Sequence, residues 1–389
     1  MQQHRILHCL RAPVGGLFRH VRDLAREQAR RGHAVGLICE AGDGDPLTQD
    51  RLAELAPDLA LGLARLAMPR EIGKADVSAA QDVRAIAQAV RADVIHGHGA
   101  KGGAYTRLAA RSLRRRGIDV LAFYTPHGGS LHYHPATLKG RLFMAAERYL
   151  ARHTDGLIFE SIYAAETYAA NAGVPACPKR VIHNGITASE LAPVTYAPDA
   201  ADFVFVGELR RLKGVDVLLE ATAAVNRDRP CSVTIVGAGP DAAEFKALSG
   251  KLGLDSCIAM PGAMPAREAF KLGRALVMPS RAESLPYVAL EAAGAGLALI
   301  ATDVGGVPEI VEGTDTKLVP PGDAEALAQA MRAILDDPDG AKARAEQLKA
   351  AISQRFTIAA MAEGVLRFYA DARLARHLPV VQPMVPTAA

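Results

Sequence analysis

Tryptophan is absent from this 389-residue chain, and all aromatic residues together make up only 5% of it. No apolar run approaches the ~18 residues that a membrane-spanning helix needs. The opening segment, Met1 to Leu10, holds too short an apolar stretch for a signal peptide and reads as a first β-strand. The five cysteines (Cys9, Cys39, Cys177, Cys231, Cys257) form no C-x-x-C pair and no metal-ligand spacing. They are expected to be small buried thiols in a reducing cytoplasm. A net charge of +3 gives no sign of a nucleic-acid partner. That charge is uneven: residues 1–190 carry 25 Lys and Arg against 18 Asp and Glu, the remainder 20 against 24. A basic first half suits an anionic surface or acceptor.

The most informative stretch is VMPSRAESLPYVALEAAGAGLALIATDVGGVPEIV, residues 277–311. An apolar run, Ala275 to Met278, stops at Pro279-Ser280 as a buried parallel strand does. Pro286 falls where a first helical position is expected, and Tyr287 to Ala293 continues as a helix closed by Gly294 and Gly296. Leu297 to Thr302 is a second strand, and Gly305-Gly306 with Pro308 opens another helix. Such alternation specifies a parallel sheet whose strands direct their carboxyl ends at one crevice. Glu283 and Glu291 bracket the first helix, about 12 Å apart along the axis if the backbone between them is helical. That is long for a catalytic carboxylate pair. It suits a ligand with hydroxyls at both ends and an anion between them, the anion resting on the helix N-terminus. A nucleoside diphosphate sugar has this layout.

The segment ESLPYVALE resembles the E-x7-E signature of retaining glycosyltransferases of family 4, and ATDVGGVPEI resembles that family's continuation. The resemblance covers almost the whole chain and is strongest from Phe203 to Ile310. It implies an α/β protein of GT-B type, two Rossmann-like βαβ domains facing a central cleft, and it implies that Glu283 contacts the donor sugar and Glu291 the ribose. Backbone amides of Ser284, Leu285 and Tyr287 would bind the pyrophosphate. Pro286 stands where the family commonly has glycine, and it has no N–H to donate.

Along the first half, Arg5 to Leu10 is a strand, followed by the loop Arg11 to Gly16 and a helix over about 17–31. On that helix Leu17, Val21, Leu24 and Gln28 share helical spacing. Its Arg19, His20, Arg22, Arg26, Arg30 and Arg31 read as a basic, solvated face. By resemblance, Gly15 and Gly16 lie near the donor phosphates. The strand 93–97 ends in His96-Gly97-His98. Two histidines at this spacing could share a metal, but no carboxylate or thiol follows at ligand spacing, so no metal site is assigned. His98 and Lys101 are expected to line the acceptor side of the crevice. The next strand, 120–125, ends in Pro126-His127-Gly128-Gly129. This resembles the family's His-Gly, which places His127 against the donor sugar. Tyr124, His132 and Tyr133 make the surroundings ring-rich, suited to an acceptor wall or equally to local packing.

A proline-punctuated stretch, residues 188–199, marks the domain boundary. The expected domains are 1–192 on the acceptor side and 193–355 for the nucleotide sugar. A helix over 356–376 returns to the first domain, and 377–389 is a disordered tail. In the second domain, strand 203–206 is followed by Gly207-Glu208-Leu209-Arg210-Arg211-Leu212-Lys213-Gly214, a cationic loop suited to a pyrophosphate. The family pattern is commonly G-R-L-x-x-x-K-G. Lys213 and Gly214 match, Glu208 replaces the arginine, and Arg210 rather than Arg211 is expected to supply the guanidinium. Gly237-Ala238-Gly239 fits a weak dinucleotide fingerprint interrupted by Pro240. Gly262 and Met264 would border the nucleobase.

The resemblance implies transfer of a sugar from a nucleotide diphosphate sugar (UDP or GDP) to a hydroxyl, with retained configuration, in polysaccharide or glycolipid assembly. The acceptor would be a sugar, a lipid-linked molecule or a polysaccharide, met in the cytoplasm at the inner face of the membrane, with a peripheral contact to anionic lipid. No nucleophilic side chain is evident, so a front-face reaction is expected. No cofactor is called for, and the D-x-D pairs Asp43/Asp45 and Asp337/Asp339 lie outside the donor loops, as a metal-independent site requires. A sugar-nucleotide epimerase and a nucleotide-binding protein with lost catalysis are the competing readings.

Overall fold

The structure is a computed structural model that describes residues 3–42, 46–128 and 136–377. The chain divides into two compact units. Unit 1 comprises residues 1–158, 169–180 and 362–389; unit 2 comprises 159–168 and 181–361. The expected linker, 188–199, therefore lies inside unit 2, whose residues begin upstream of it.

Unit 1 is built on a seven-stranded sheet in the order β3-β2-β1-β4-β5-β6-β7. Its strands are β1 (Arg5–Leu10), β2 (Ala34–Glu40), β3 (Leu63–Leu66), β4 (Val94–His98), β5 (Leu121–Thr125), β6 (Gly156–Phe159) and β7 (Lys179–Val181). The helices of this part are α1 (Gly15–Arg30), α2 (Pro46–Leu55), α3 (Ala75–Ala89), α4 (Gly99–Arg114) and α5 (Leu138–Ala151), and α6 (Ile162–Ala172) is divided, residues 162–168 belonging to unit 2 and 169–172 to unit 1. Neighbouring strands β1, β2, β4 and β5 pair in parallel. They are buried along nearly their whole length, which explains why they read as continuous apolar runs rather than as alternating patterns. The sequence signal was weak for α2 and for the half-buried edge strand β3, and neither was anticipated.

Unit 2 repeats the plan with six strands in the order β10-β9-β8-β11-β12-β13. These are β8 (Ala201–Val206), β9 (Val233–Val236), β10 (Ile258–Gly262), β11 (Gly273–Met278), β12 (Ala298–Thr302) and β13 (Leu318–Val319). The helices are α7 (Val215–Val225), α8 (Ala242–Lys251), α9 (Ala266–Ala269), α10 (Tyr287–Gly294), α11 (Val307–Val311), α12 (Ala324–Asp336), α13 (Pro338–Arg355) and α14 (Ile358–His377). From Ala362 onward α14 belongs to unit 1. Apolar clusters fill both faces of the unit 2 sheet. Leu276, Ala289, Leu290 and Ile310 belong to one cluster, Phe203, Phe205, Leu218 and Ile235 to the other. Asp337 of the second D-x-D pair caps α13, its carboxylate accepting the Gly340 amide at 2.9 Å. The first pair, like His132, Tyr133 and the tail from residue 378, lies outside the described residues.

In each sheet the strand order reverses beside the first strand of the unit, between β1 and β4 and between β8 and β11. Loops leaving the carboxyl ends of these four strands diverge there, and ligands of open parallel sheets bind at such points.

One charge pair is sealed in unit 1. Arg107 of α4 is fully buried, lies 3.9 Å over the Tyr124 ring and donates to Glu147 of α5 at 2.9 Å. Tyr124 donates to the same carboxylate at 3.2 Å. Tyr124 is therefore a core residue of β5, not part of an acceptor wall. Arg107→Ala should lower unit 1 stability in urea titration by about 3–5 kcal/mol, because Glu147 stays buried without its main partner. Arg180→Ala removes the exposed pair with Asp371 and should cost less than about 1 kcal/mol.

Candidate functional site

In unit 2 the site grows from three backbone segments in contact at the carboxyl ends of β8, β11 and β12. Gly214 closes the loop after β8 with φ +70°, and a Cβ there would lie 1.9 Å from the Pro279 oxygen. Gly305 has φ +58°, and a Cβ there would lie 1.7 Å from the Glu283 oxygen. Only glycine meets both demands. The Gly306 amide donates to the Ser284 oxygen at 2.7 Å, and the Arg281 amide to the Leu212 oxygen at 2.8 Å. The loop 279–286 is thus held from both sides, and its Glu283 is presented in one orientation.

Glu283 accepts from Lys213 Nζ at 2.6 Å and from Ser280 Oγ at 2.7 Å. These two predicted residues, 70 positions apart, are in direct contact. Ser284 donates through Oγ to Glu160 at 2.7 Å, and the Leu285 side chain is buried with its carbonyl near Asn184 Nδ2 at 3.3 Å. Pro286 is the cap residue of α10, with ψ 120°, so the helix starts one position later than expected. Residues 283–286 are not helical, and the axial spacing inferred for Glu283 and Glu291 does not apply. Glu291 lies half-buried on α10, one turn after Tyr287.

In the cationic loop each of the two neighbouring arginines has an exposed acidic partner. Arg211 is bound by Glu244. Arg210 faces Glu208 at 3.7 Å with both side chains about half exposed, 53% and 51%. An exposed pair of this kind is weak, so Arg210 can turn to an anion at little cost. Gly207 donates to the Val236 oxygen at 3.0 Å, and Leu209 to the Ala238 oxygen at 2.9 Å. The Gly237-Ala238-Gly239 segment therefore supports the loop after β8. Gly262 ends β10, where its oxygen accepts from Gly237 at 3.0 Å, and Met264 packs on the core.

In unit 1 the carboxyl ends of β1, β4 and β5 hold a cluster of imidazoles. His8 of β1, His96 and His98 of β4, His20 of α1 and His127 after β5 lie ring to ring, with centroid separations from 4.0 to 5.7 Å. His96 is engaged by Tyr369 at 2.7 Å and Thr125 at 2.9 Å. His98 contacts His8 at 3.0 Å through Nε2 and His127 at 3.2 Å through Nδ1. His127 has φ +50°, a left-handed conformation that costs a side chain energy and is found where surroundings impose it.

The predicted helix after β1 starts at Gly15 instead of 17, so Gly15 and Gly16 are its exposed first residues. Its basic face is corrected by the structure. His20 is buried, Arg19 and Arg22 lie against Asp23, and Arg30 and Arg31 against Glu27. Beside the cluster lies a cavity of about 530 Å³, reached by His127 and walled by Val14, Leu17, Ile72, Val77, Leu142 and Phe143, with Arg11, Arg70 and Lys101 among its lining. Lys101 lines it as expected, but its ammonium is bound to Asp76 and to the Glu71 oxygen. His98 also reaches this cavity, yet both its ring nitrogens face other histidines, which removes it as a direct acceptor contact.

Two sets of three, His8/His96/His98 and His20/His98/His127, have ring nitrogens within 4.8 Å of one another. The H-x-H of β4 thus finds its neighbours in distant histidines. His8, His20 and Gln28 were missed as site residues. Their signal was a histidine inside the apolar strand Ile6-Leu7-His8-Cys9 and a glutamine on the apolar stripe of α1.

Residues 14–190 match the sequence profile described as Glycosyltransferase Family 4, and residues 200–337 match that described as Glycosyl transferases group 1. The chain belongs to glycosyltransferase family 4. It is 27% identical to glycogen synthase of Mycobacterium tuberculosis over 398 residues, covering 96% of this chain and 94% of the relative. It is 30% identical over 266 residues to the putative glycosyltransferase EpsD of Bacillus subtilis, covering 64% and 68%. Among solved structures, Anabaena HepE in complex with UDP superposes with a TM-score of 0.77 at 17% identity, covering 94% of this chain and all of that one. The glycosyltransferase has the GT-B type of α/β fold, with two Rossmann-like parallel sheets, and its activity is sugar transfer from a nucleotide sugar. No helix among the described residues is long and apolar enough to cross a membrane.

The buried imidazoles make stability depend on pH. Desolvation lowers His8 to about 4 and His127 to about 3, and desolvation with mutual repulsion holds His96 and His98 well below the ordinary value. In the unfolded chain these rings take protons near pH 6.5. Between pH 6.5 and 4 the unfolded state therefore binds more protons, and stability falls as pH falls. Denaturant titrations across this window should show a loss of about 1.4 kcal/mol per pH unit from His8 alone. His8→Gln should flatten the slope; an unchanged slope contradicts the assignment. Gly305→Val should abolish nucleotide-sugar turnover with unit 1 still folded, since its side chain has no space beside Glu283.

Proposed function

We propose that this glycosyltransferase retains the anomeric configuration and takes its sugar from a nucleoside diphosphate sugar, UDP being favoured over GDP. The observation that carries this reading is the Lys213–Glu283 contact, held by glycine-clamped backbone at the reversal point of the unit 2 sheet. A carboxylate that can order sugar hydroxyls then sits beside a cation that can follow a diphosphate as charge develops on it. Arg210, whose partner Glu208 is exposed, and the amides of Ser284, Leu285 and Tyr287 would complete the diphosphate site. Glu291 would hold the ribose, and Gly207, Gly262 and Met264 would border the nucleotide, with Gly15 and Gly16 near its phosphates. The similarity to a fold that carries UDP in the Anabaena protein supports the choice of base. The reaction is read as a front-face displacement, with no enzyme-bound sugar intermediate. In it the departing diphosphate helps to deprotonate the acceptor, without a metal ion.

His127 would face the sugar. The cavity beside it, apolar with both cations and the carboxylates of Asp76 and Glu147 among its lining, suits an acceptor that joins an apolar part to a polar, hydroxyl-bearing head. This supports a lipid-linked acceptor over a bare polysaccharide, and with it a role in glycolipid or surface-polysaccharide assembly at the cytoplasmic membrane face.

Thermal-shift measurements with UDP-, GDP- and ADP-sugars should show stabilisation by one nucleotide in the wild type and its loss in Glu291→Ala. No shift with any of them rejects the donor site. Lys213→Ala should lower kcat by about 10²- to 10³-fold. Leu142→Asp, at an exposed wall position of the cavity, should raise KM for a lipid-linked acceptor and leave the nucleotide-induced shift unchanged.

A further inference from the structure

Behind His127 runs a line of side chains that the donor reading does not use. Gln28 of α1 presents its amide oxygen to His8 Nε2 at 2.8 Å; His8 Nδ1 meets His98 Nε2 at 3.0 Å; His98 Nδ1 meets His127 Nε2 at 3.2 Å. Gln28, His8 and His98 are each at most 1% exposed. A neutral imidazole has one N–H and one lone pair. Three of them in series bond continuously only if every ring points the same way. The amide oxygen at the buried end only accepts, so His8 donates to it from Nε2. The His8 Nδ1 lone pair then accepts from His98 Nε2–H, and the His98 Nδ1 lone pair accepts from His127 Nε2–H. What is left at the half-buried end is the Nδ1 lone pair of His127, on the residue that reaches the cavity.

We propose that Gln28, His8 and His98 are positioning residues that hold His127 in its Nε2–H tautomer, so that its Nδ1 accepts a hydrogen bond from a hydroxyl of the bound sugar. The proposal rests on the reading of His127 as a donor-sugar contact. Its specific content is the direction: the site selects a hydroxyl that donates and rejects a deoxy or fluoro substituent at the contacted carbon. The chain also accounts for the left-handed backbone at residue 127, since the ring must reach back to His98.

Long-range proton–nitrogen correlation spectra of the protein labelled with nitrogen-15 histidine, near neutral pH, test this without catalysis. Single His→Gln replacements assign the rings. His8, His98 and His127 should each show a protonated Nε2 and a bare Nδ1. A protonated Nδ1 on His127 overturns the proposal, as does stoichiometric zinc in the isolated protein with these nitrogens as its ligands. Gln28→Met should let His127 populate both tautomers and lower kcat about tenfold at unchanged KM for the nucleotide sugar. Unchanged tautomer and turnover in Gln28→Met overturn the chain, and should that variant fail to fold, the wild-type spectrum decides. Transfer assays with nucleotide sugars separate the two levels. The expected tautomers in a protein that transfers no sugar reject the functional reading alone, whereas transfer by a protein lacking them rejects the chain alone.

Discussion

The close approach of backbone to backbone around residues 279–286 is the constraint on which the unit 2 site depends. A carboxylate on a loop is ordinarily free to choose among rotamers and partners. Here the loop lies between Gly214 and Gly305, at separations that no Cβ tolerates, and is bonded to Gly306 and Leu212. Its shape is set by hard contacts. Glu283 is then close enough to Lys213 for a charge-assisted hydrogen bond, and α10 begins immediately beyond. Preorganisation of this kind matters for a reaction in which charge appears on a leaving diphosphate, because a dipole already in place does not have to reorient as the bond breaks.

Unit 1 solves a different problem. Its sheet ends in imidazoles, and among the described residues the hydrogen bonds of His8, His96 and His98 meet no carboxylate. Burial keeps the rings neutral, and neutral imidazoles are satisfied by bonding to one another, to Gln28, to Thr125 and to Tyr369. A single acid inserted here would convert neighbours to imidazolium and change what His127 can offer a ligand. The absence of charge among these bonds, at the floor of a cavity with cations among its lining, gives this end of the sheet a polar but uncharged contact surface.

The periodic and punctuated features were legible from the chain. Parallel strands buried on both faces read as apolar runs, and helix starts followed Pro and Gly, so the α/β alternation, the two parallel sheets and most of their central strands could be anticipated. Most misreadings came from side chains whose partners lie far away in sequence. Tyr124 looked like an exposed ring because its loop is ring-rich, but Arg107 and Glu147 draw it into the core. The arginines of α1 looked like a bare basic face, although Asp23 and Glu27 on the same helix engage four of them. His98 looked like a crevice residue, and its strand position is as expected, yet His8 and His127 take both its nitrogens.

By itself the sequence determined the two α/β units, the family, and the residues Lys213, Glu283 and His127 as candidates for the chemistry. These follow from local rules of periodicity, capping and motif spacing, which act within a few residues of chain. Only the tertiary structure decided which cation meets Glu283, which acid each arginine of the loop faces, and which histidines stand behind His127. Those outcomes depend on which strand lies beside which and on how closely backbones pass. Such distances are summed over the packing of the whole unit and leave no local mark on the sequence.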